Sequence, residues 1–350
     1  MPEIDYAALA LTLAYGAAGG LVAWGLGLPL GLLLGSLVVT GAIAAAGARP
    51  LGKPITLPLK LRSAFVPVIG VAIGGAFTPE VLAEARHWWP SLLALLAFLP
   101  IAHATGYLIY SRGGLPKLES FFGSVPGGLI ETVQMGEEAG GDARLMTVLQ
   151  FLRLILTIIA VPVIFTVLTG GAVGSASGAS LPAAAVPLTV YEVAVLLAAG
   201  GFGVWLGRWV GLPAAIMTGP ILLSAVAHAA GLVHGVPPAW LVGLTQVVVG
   251  CGLGARFAGA DRAMLWRASR LAVVNAGVAL GIAFGFASVL APWVDEPTEA
   301  VFLAFAPGGL AEMSLIALSL QMSVVYVTVH HVARIVLSVL VARMGGRWIG

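Results

Sequence analysis

The sequence predicts an all-α polytopic membrane protein made of two inverted repeats of about five transmembrane helices, each with a re-entrant or broken-helix Pro-Gly-Gly hairpin. Three observations carry this expectation. The 350-residue chain is 59% hydrophobic and only 9% charged, where a soluble domain carries about 25% charged residues. Its two halves repeat at a nearly constant offset. The same helix-breaking motif stands in each half, "PGGLIE" at 126–131 and "PGGLAE" at 307–312.

Composition sets the solvent. The mean hydropathy is +1.03, more apolar side chain than a water-soluble interior can hide, so the surroundings are lipid. Glycine (47) and proline (21) are abundant, which suits close-packed and interrupted membrane helices. The net charge of +2 comes without a dense Lys/Arg cluster, so no nucleic-acid partner is expected. Cys251 stands alone, which excludes a disulfide framework and a cysteine-based metal site.

A spanning helix needs about 20 apolar residues. Ten segments meet this, at roughly 6–24, 29–47, 63–79, 88–110, 145–168, 187–207, 213–233, 239–257, 270–291 and 322–343. The start "MPEIDYAALALTLAYGAAGG" is acidic and lacks the basic region of a signal peptide, so it reads as the lead-in to the first span. The small-residue stretch 169–186 reads as a linker. The expected organisation is a first membrane repeat over 1–168, the linker, and a second membrane repeat over 187–350.

The repeat rests on several matches in one order. Pro126 and Pro307, Glu131 and Glu312, Gln150 and His331, and Arg153 and Arg334 are each 181 residues apart. "AAGGLVAW" at 17–24 matches "AAGGFGVW" at 198–205, and "GLP" recurs at 27–29 and 211–213. The GxxxG pairs Gly70/Gly74 and Gly250/Gly254 also correspond. GxxxG lets helix backbones approach closely, so these glycines are expected to serve packing.

Charge decides the orientation. If each Pro-Gly-Gly segment crossed fully, the basic loops 49–62 and 256–270 would face opposite sides, against the positive-inside rule. If each segment enters and returns, each half has five spans and the halves are inverted. Arg49, Lys53, Lys60, Arg62, Arg112, Lys117, Arg144, Arg208, Arg262, Arg267, Arg270, Arg343 and Arg347 then share the cytoplasmic side, with Arg86 outside. The nine tryptophans fall near span ends, as interfacial belts require.

Inverted repeats with broken helices at matching positions are the architecture of many secondary transporters. Proline stops a helix and glycine permits the turn that follows. The next half-helix then offers free N–H groups and a positive dipole end to an anion or polar group. The substrate-binding candidates are Pro126, Gly127, Gly128, Glu131, Gln150 and Arg153 with Pro307, Gly308, Gly309, Glu312, His331 and Arg334. An intramembrane charge costs about 2.5–3.5 kcal/mol on insertion scales, so Glu–Arg pairing within or across the halves is the simplest expectation, as structural locks or as part of a site. Gln150–Arg153 and His331–Arg334 are spaced to share helix faces. Glu131, Glu312 and His331 are the coupling candidates, for a proton or sodium. His103 and His228 read as packing or cavity residues, Gln246 as a weaker site candidate, and Glu137, Glu138 and Asp142 as a solvated hairpin exit.

The motifs "PGGLIE" with "LQFLR", and "APGGLAEMSLIA" with "HHVAR", resemble the AbrB family of bacterial inner-membrane proteins, a different group from the small DNA-binding regulator of the same name. The resemblance covers essentially the whole chain, including the family's internal duplication. It departs at Thr132, where the second half has Met313, and at Ser124-Val125 before the proline. It implies a multi-pass protein of the bacterial inner membrane. Ammonia monooxygenase, one label used in the family, would need clustered histidine and carboxylate ligands. The six histidines here are scattered, so no enzyme, no metal and no cofactor are expected. Gene regulation, the other label, would need a soluble binding domain. The expected function is secondary transport of a small polar solute, leaning to an organic anion, by alternating access and an elevator-like movement in a homodimer. The alternative is a membrane-embedded ligand sensor that affects gene expression indirectly.

Overall fold

A computed structural model describes residues 5–28, 30–169, 186–259, 261–320 and 322–346. The described residues are mostly helical and contain no strand. In chain order the helices are α1 (Tyr6–Gly25), α2 (Gly31–Ala45), α3 (Leu59–Gly74), α4 (Pro79–Glu84), α5 (Trp89–Arg112), α6 (Lys117–Ser124), α7 (Leu129–Glu138), α8 (Ala143–Thr169), α9 (Val190–Val210), α10 (Ala215–Ala229), α11 (Ala239–Gly254), α12 (Arg262–Val294), α13 (Thr298–Phe305), α14 (Leu310–Ser319) and α15 (Val324–Gly346). The linker expected at 169–186 lies almost wholly outside the described residues.

Seven of the described helices are long and apolar enough to cross a bilayer: α1, α5, α8, α9, α11, α12 and α15. The chain is an all-α, polytopic membrane protein. Three of the ten expected spans correct to shorter helices. α2 and α10 have 15 residues each and α3 has 16, about 22–24 Å at 1.5 Å per residue, against a hydrocarbon core of about 30 Å. The cause is local. After each "GLP", Leu30 and Ala214 take left-handed conformations (φ 52° and 49°) and start the helix late. α3 stops at Gly74 and the chain turns through Gly75.

The helices gather into two compact units. The first comprises residues 1–81, 164–260 and 318–324; the second comprises 82–163, 261–317 and 325–350. Each draws on both sequence halves.

In the first unit, α1 packs on α2 and α9 on α10, and the halves then cross, α2 against α11 and α3 against α10. The GxxxG pairs mark those crossings. A methyl group on Gly70 would stand 2.9 Å from the Met217 carbonyl of α10, and one on Gly250 would stand 2.5 Å from the Leu33 carbonyl of α2. Gly74 and Gly254 are as confined, by Ser224 and by Thr40 with Gly41. Helix entry is capped differently in the two halves. Asp5 accepts from the N–H groups of Ala7 and Ala8 at 3.1 Å and meets Lys53 Nζ at 2.9 Å. At α9, Thr189 and Glu192 form a reciprocal capping box.

In the second unit, α5 packs against α12 and α6, and α12 against α13. Asn275 of α12 donates to the Tyr110 hydroxyl of α5 at 3.0 Å in the buried seam. Phe121, Phe122, Val125, Met146 and Ala342 form a core beneath the first Pro-Gly-Gly segment. Both Pro-Gly-Gly segments belong to this unit.

Candidate functional site

Each Pro-Gly-Gly segment is two short helices with an unwound break between them. α6 has eight residues and ends at Ser124; α7 has ten and begins at Leu129. α13 ends at Phe305 and α14 begins at Leu310. Lengths of about 12–15 Å cannot span a bilayer singly. The ends of the first segment are tied together: the Asp142 N–H, beyond α7, donates to Glu119 Oε1 in the first turn of α6 at 2.8 Å. The two ends of that segment therefore lie side by side. Glu137, Glu138 and Asp142 are exposed at the end of α7 and in the turn after it.

A break strands carbonyl groups at the end of the first half-helix and N–H groups at the start of the second. The long helix after each break supplies donors to the carbonyls. From α8, Gln150 Nε2 donates to the Phe122 carbonyl at 2.8 Å and to that of Val125 at 3.2 Å. Arg153 donates to the Val125 carbonyl. From α15, His331 Nε2 bonds the Leu303 carbonyl at 3.1 Å. Arg334 donates to the carbonyls of Ala306 and, at 2.6 Å, Gly308. Leu303 and Ala306 are the 181-residue counterparts of Phe122 and Val125. The repeat therefore extends to hydrogen-bond partners.

This corrects one expectation. Among the described residues neither arginine forms an ion pair with Glu131 or Glu312; backbone carbonyls take the guanidinium hydrogen bonds. The physical reason is that an unwound backbone inside an apolar unit presents several unsatisfied carbonyls, and leaving them unbonded would cost about 1–3 kcal/mol each. Gln150, Arg153, His331 and Arg334 are all at most 4% exposed.

The glutamates bend back instead. Each stands at the third position of its half-helix, behind a glycine with no capping side chain. A methyl on Gly128 would lie 3.5 Å from Glu131 Oε2, and one on Gly309 would collide with the Glu312 carboxylate. A carboxylate there complements the positive helix end, worth about 0.3–1 kcal/mol. Gly128 itself has φ +62° and faces Val339 at 2.7 Å from a would-be Cβ, so both its backbone and its surroundings require glycine.

The two breaks also cross. Gly127 and Gly128 lie against Ser338 and Val339 of α15, and Gly309 lies against Leu154 of α8. Each break thus rests on the long helix of the opposite half. All twelve sequence-predicted site residues belong to the second unit. Gln246, on α11, belongs to the first unit. His103 bonds the Phe121 carbonyl and His228 bonds those of Ser224 and Gly235, which fits packing roles. Two residues were missed. Thr132 is fully buried and receives a bond from Gln150 at 3.3 Å. Ser338 is 1% exposed, faces Gly127, and its hydroxyl has no hydrogen-bond partner among the described residues. Its spacing of four from Arg334 was the available signal.

The family description "Transition state regulatory protein AbrB" matches residues 39–350. The chain is 27% identical over 270 residues to "Putative regulator AbrB" of Escherichia coli, covering 75% of this chain and 76% of that one. It is 24% identical over 286 residues to "Uncharacterized protein YhjN" of Bacillus subtilis, covering 77% and 73%. With the doubled motif, the matched breaks and a family match over most of its length, the chain belongs to the AbrB family.

Proposed function

We propose that the protein is a secondary transporter of a small polar solute, an organic anion by preference, working by alternating access around the two Pro-Gly-Gly breaks. The single observation that carries this reading is the gathering of both breaks, two buried arginines and two half-helix starts in one compact unit. Unwound backbone at membrane depth is tolerated where it is buried in protein or lines a wet cavity. The positive half-helix ends and the arginines favour an anion.

The glutamates provide a coupling scheme. A carboxylate lying over a half-helix start holds the place an anionic substrate would take. Protonation of Glu131 or Glu312, or a sodium ion beside it, removes that competition. His331 is less suited to the task. Its Nε2 faces a carbonyl, which only accepts, and its Nδ1 accepts from Arg334 at 2.9 Å, so the partners assign a neutral imidazole.

The first unit, packed through its GxxxG crossings, serves in this reading as a homodimeric scaffold. The second unit, with its re-entrant hairpins, is the elevator-like carrier in the bacterial inner membrane. The solute and the lipid bilayer are the partners, and no cofactor, enzymatic step or nucleic acid enters. The names of the family and of the Escherichia coli relative favour a second reading, a membrane-embedded ligand sensor.

The test is a thermal-shift screen of purified protein with small carboxylates, amino acids, amines and ammonium, with and without sodium at two pH values, followed by uptake of any hit into proteoliposomes. The transport reading expects a stabilising carboxylate, uptake of it, and binding in Glu312→Gln that no longer depends on pH or sodium. Stabilisation without uptake supports the sensor. A panel in which Glu312→Gln responds like wild type removes the breaks from the site.

A further inference from the structure

The first unit carries an apolar groove of about 880 Å³. Its walls include Ser63, Ala64 and Pro67 of α3 and Leu197, Gly201 and Val204 of α9, and the start of α11 closes it at Trp240. Leu197 is 71% and Trp240 69% exposed, so the groove opens outward. A Cβ on Gly201 would point into open space. From Val193 to Val204 the groove follows α9, a run of about 16 Å.

One end of the groove is basic. Val71 packs with Leu196 and Ala199, and Pro67 lies 3.8 Å from a would-be Cβ on Gly200. α3 and α9 therefore run antiparallel, and the start of α3 lies toward the end of α9. Lys60 stands four residues before Ala64 and Arg208 four after Val204, each on the helix face that lines the groove. Both are exposed. Lys60 occupies the first turn of α3, which has no side-chain cap, so the helix dipole works against this cation and both would favour an anion.

A smaller groove, about 350 Å³, lies on α11 at Gly243, Leu244 and Val247, each 180 residues after Ser63, Ala64 and Pro67. No Lys or Arg stands within four residues of any residue lining it. The duplicated helices thus make an apolar groove twice and flank only one with cations. Lipid tails can fill either groove, whereas a cation pair at one end selects a headgroup. Lys60 and Arg208 share the cytoplasmic side in the inverted reading of the sequence, where anionic headgroups set the surface potential. We propose that this groove binds an anionic phospholipid, its acyl chain along α9 and its phosphate on Lys60 and Arg208. The site lies within the first unit and does not depend on the transport reading.

The experiment is native mass spectrometry of the full-length protein in detergent with equimolar phosphatidylglycerol and phosphatidylcholine of matched chains. Wild type is expected to retain phosphatidylglycerol in preference. In Lys60→Gln/Arg208→Gln the preference should fall at least about tenfold, as expected for lost charged hydrogen bonds. Arg112→Gln/Arg144→Gln, an exposed pair in the second unit, should keep it. Gly201→Leu, which fills the groove, should retain less of both lipids. Equal retention of the two lipids by wild type, the same preference in both double variants, or undiminished retention in Gly201→Leu overturns the proposal. A wild-type dimer that Gly201→Leu dissociates, with no headgroup preference, gives the groove to a second copy and overturns it too.

Discussion

The two breaks follow one plan with unequal parts. At the first, the work is divided: Gln150 bonds two carbonyls and Thr132, and Arg153 bonds one carbonyl. At the second, His331 bonds one carbonyl while Arg334 bonds two and also donates to His331. Thr132 against Met313 follows from this. The first break uses Thr132 to complete the Gln150 amide, whereas His331 is completed by its own arginine and needs no hydroxyl. Ser338 and its counterpart Thr157 differ in the same way. Thr157 spends its hydroxyl on the Arg153 carbonyl at 2.9 Å, and Ser338 leaves its own facing Gly127. Duplication conserved the geometric problem, stranded carbonyls beside a helix break, and the halves solved it with different donors.

The comparison is broken most severely at Arg334. Arg334→Ala leaves two carbonyls and an imidazole nitrogen unbonded in a buried site, an expected cost on the order of 3–5 kcal/mol. Arg153→Ala removes one such bond and is expected to cost about 1.5–3 kcal/mol. Denaturant or thermal unfolding of the pair checks the order; an equal loss would contradict the unequal division of labour. Arg334→Lys should fall between, because a point charge cannot replace a planar fork on two carbonyls.

Smaller changes sharpen the comparison. Thr132→Met imports the second-half residue without its histidine and is expected to cost about 1 kcal/mol. Adding Gln150→His should recover part of that cost if the two positions are coupled, which a double-mutant cycle would measure. His331→Gln should leave the pH profile of ligand binding unchanged, while Glu312→Gln should flatten it. A shifted profile in His331→Gln would return the coupling role to the histidine. The smallest effect is expected at Asp5, whose carboxyl is held below its ordinary 3.8 by its hydrogen bond to Lys53 and then by the Ala8 N–H. A depressed carboxyl pKa contributes stability above the unfolded value and loses it as pH falls through the folded one. Asp5→Asn should therefore lower stability slightly at neutral pH and weaken its acid dependence.

Much of this was legible in the sequence. Pro-Gly-Gly announced the breaks, and a spacing of three put Gln150 with Arg153 and His331 with Arg334. The acidic residues Glu137, Glu138 and Asp142 announced an exposed stretch at the end of α7. The glutamate–arginine pairs were misread because sequence displays charges and hides the backbone groups that compete for them. The short helices α2 and α10 were misread because an apolar run does not reveal that Leu30 and Ala214 spend its first residues in a turn. The gathering of both breaks into one unit was not legible, since it depends on each break resting on the long helix of the opposite half, Gly127 and Gly128 on α15 and Gly309 on α8, which no local period records.

The central claim is that the breaks form a site open in turn to each face of the membrane. Gly128→Cys is a poor probe, given its positive φ and the nearness of Val339. Ser338→Cys is nearly isosteric and faces the first break, and Cys251→Ser removes the one native thiol. The measurement is labelling of Ser338→Cys by a membrane-impermeant maleimide in right-side-out and inverted vesicles, with and without a stabilising carboxylate. The account predicts labelling from both faces and protection by the ligand. Labelling from one face only, in every condition, would contradict it.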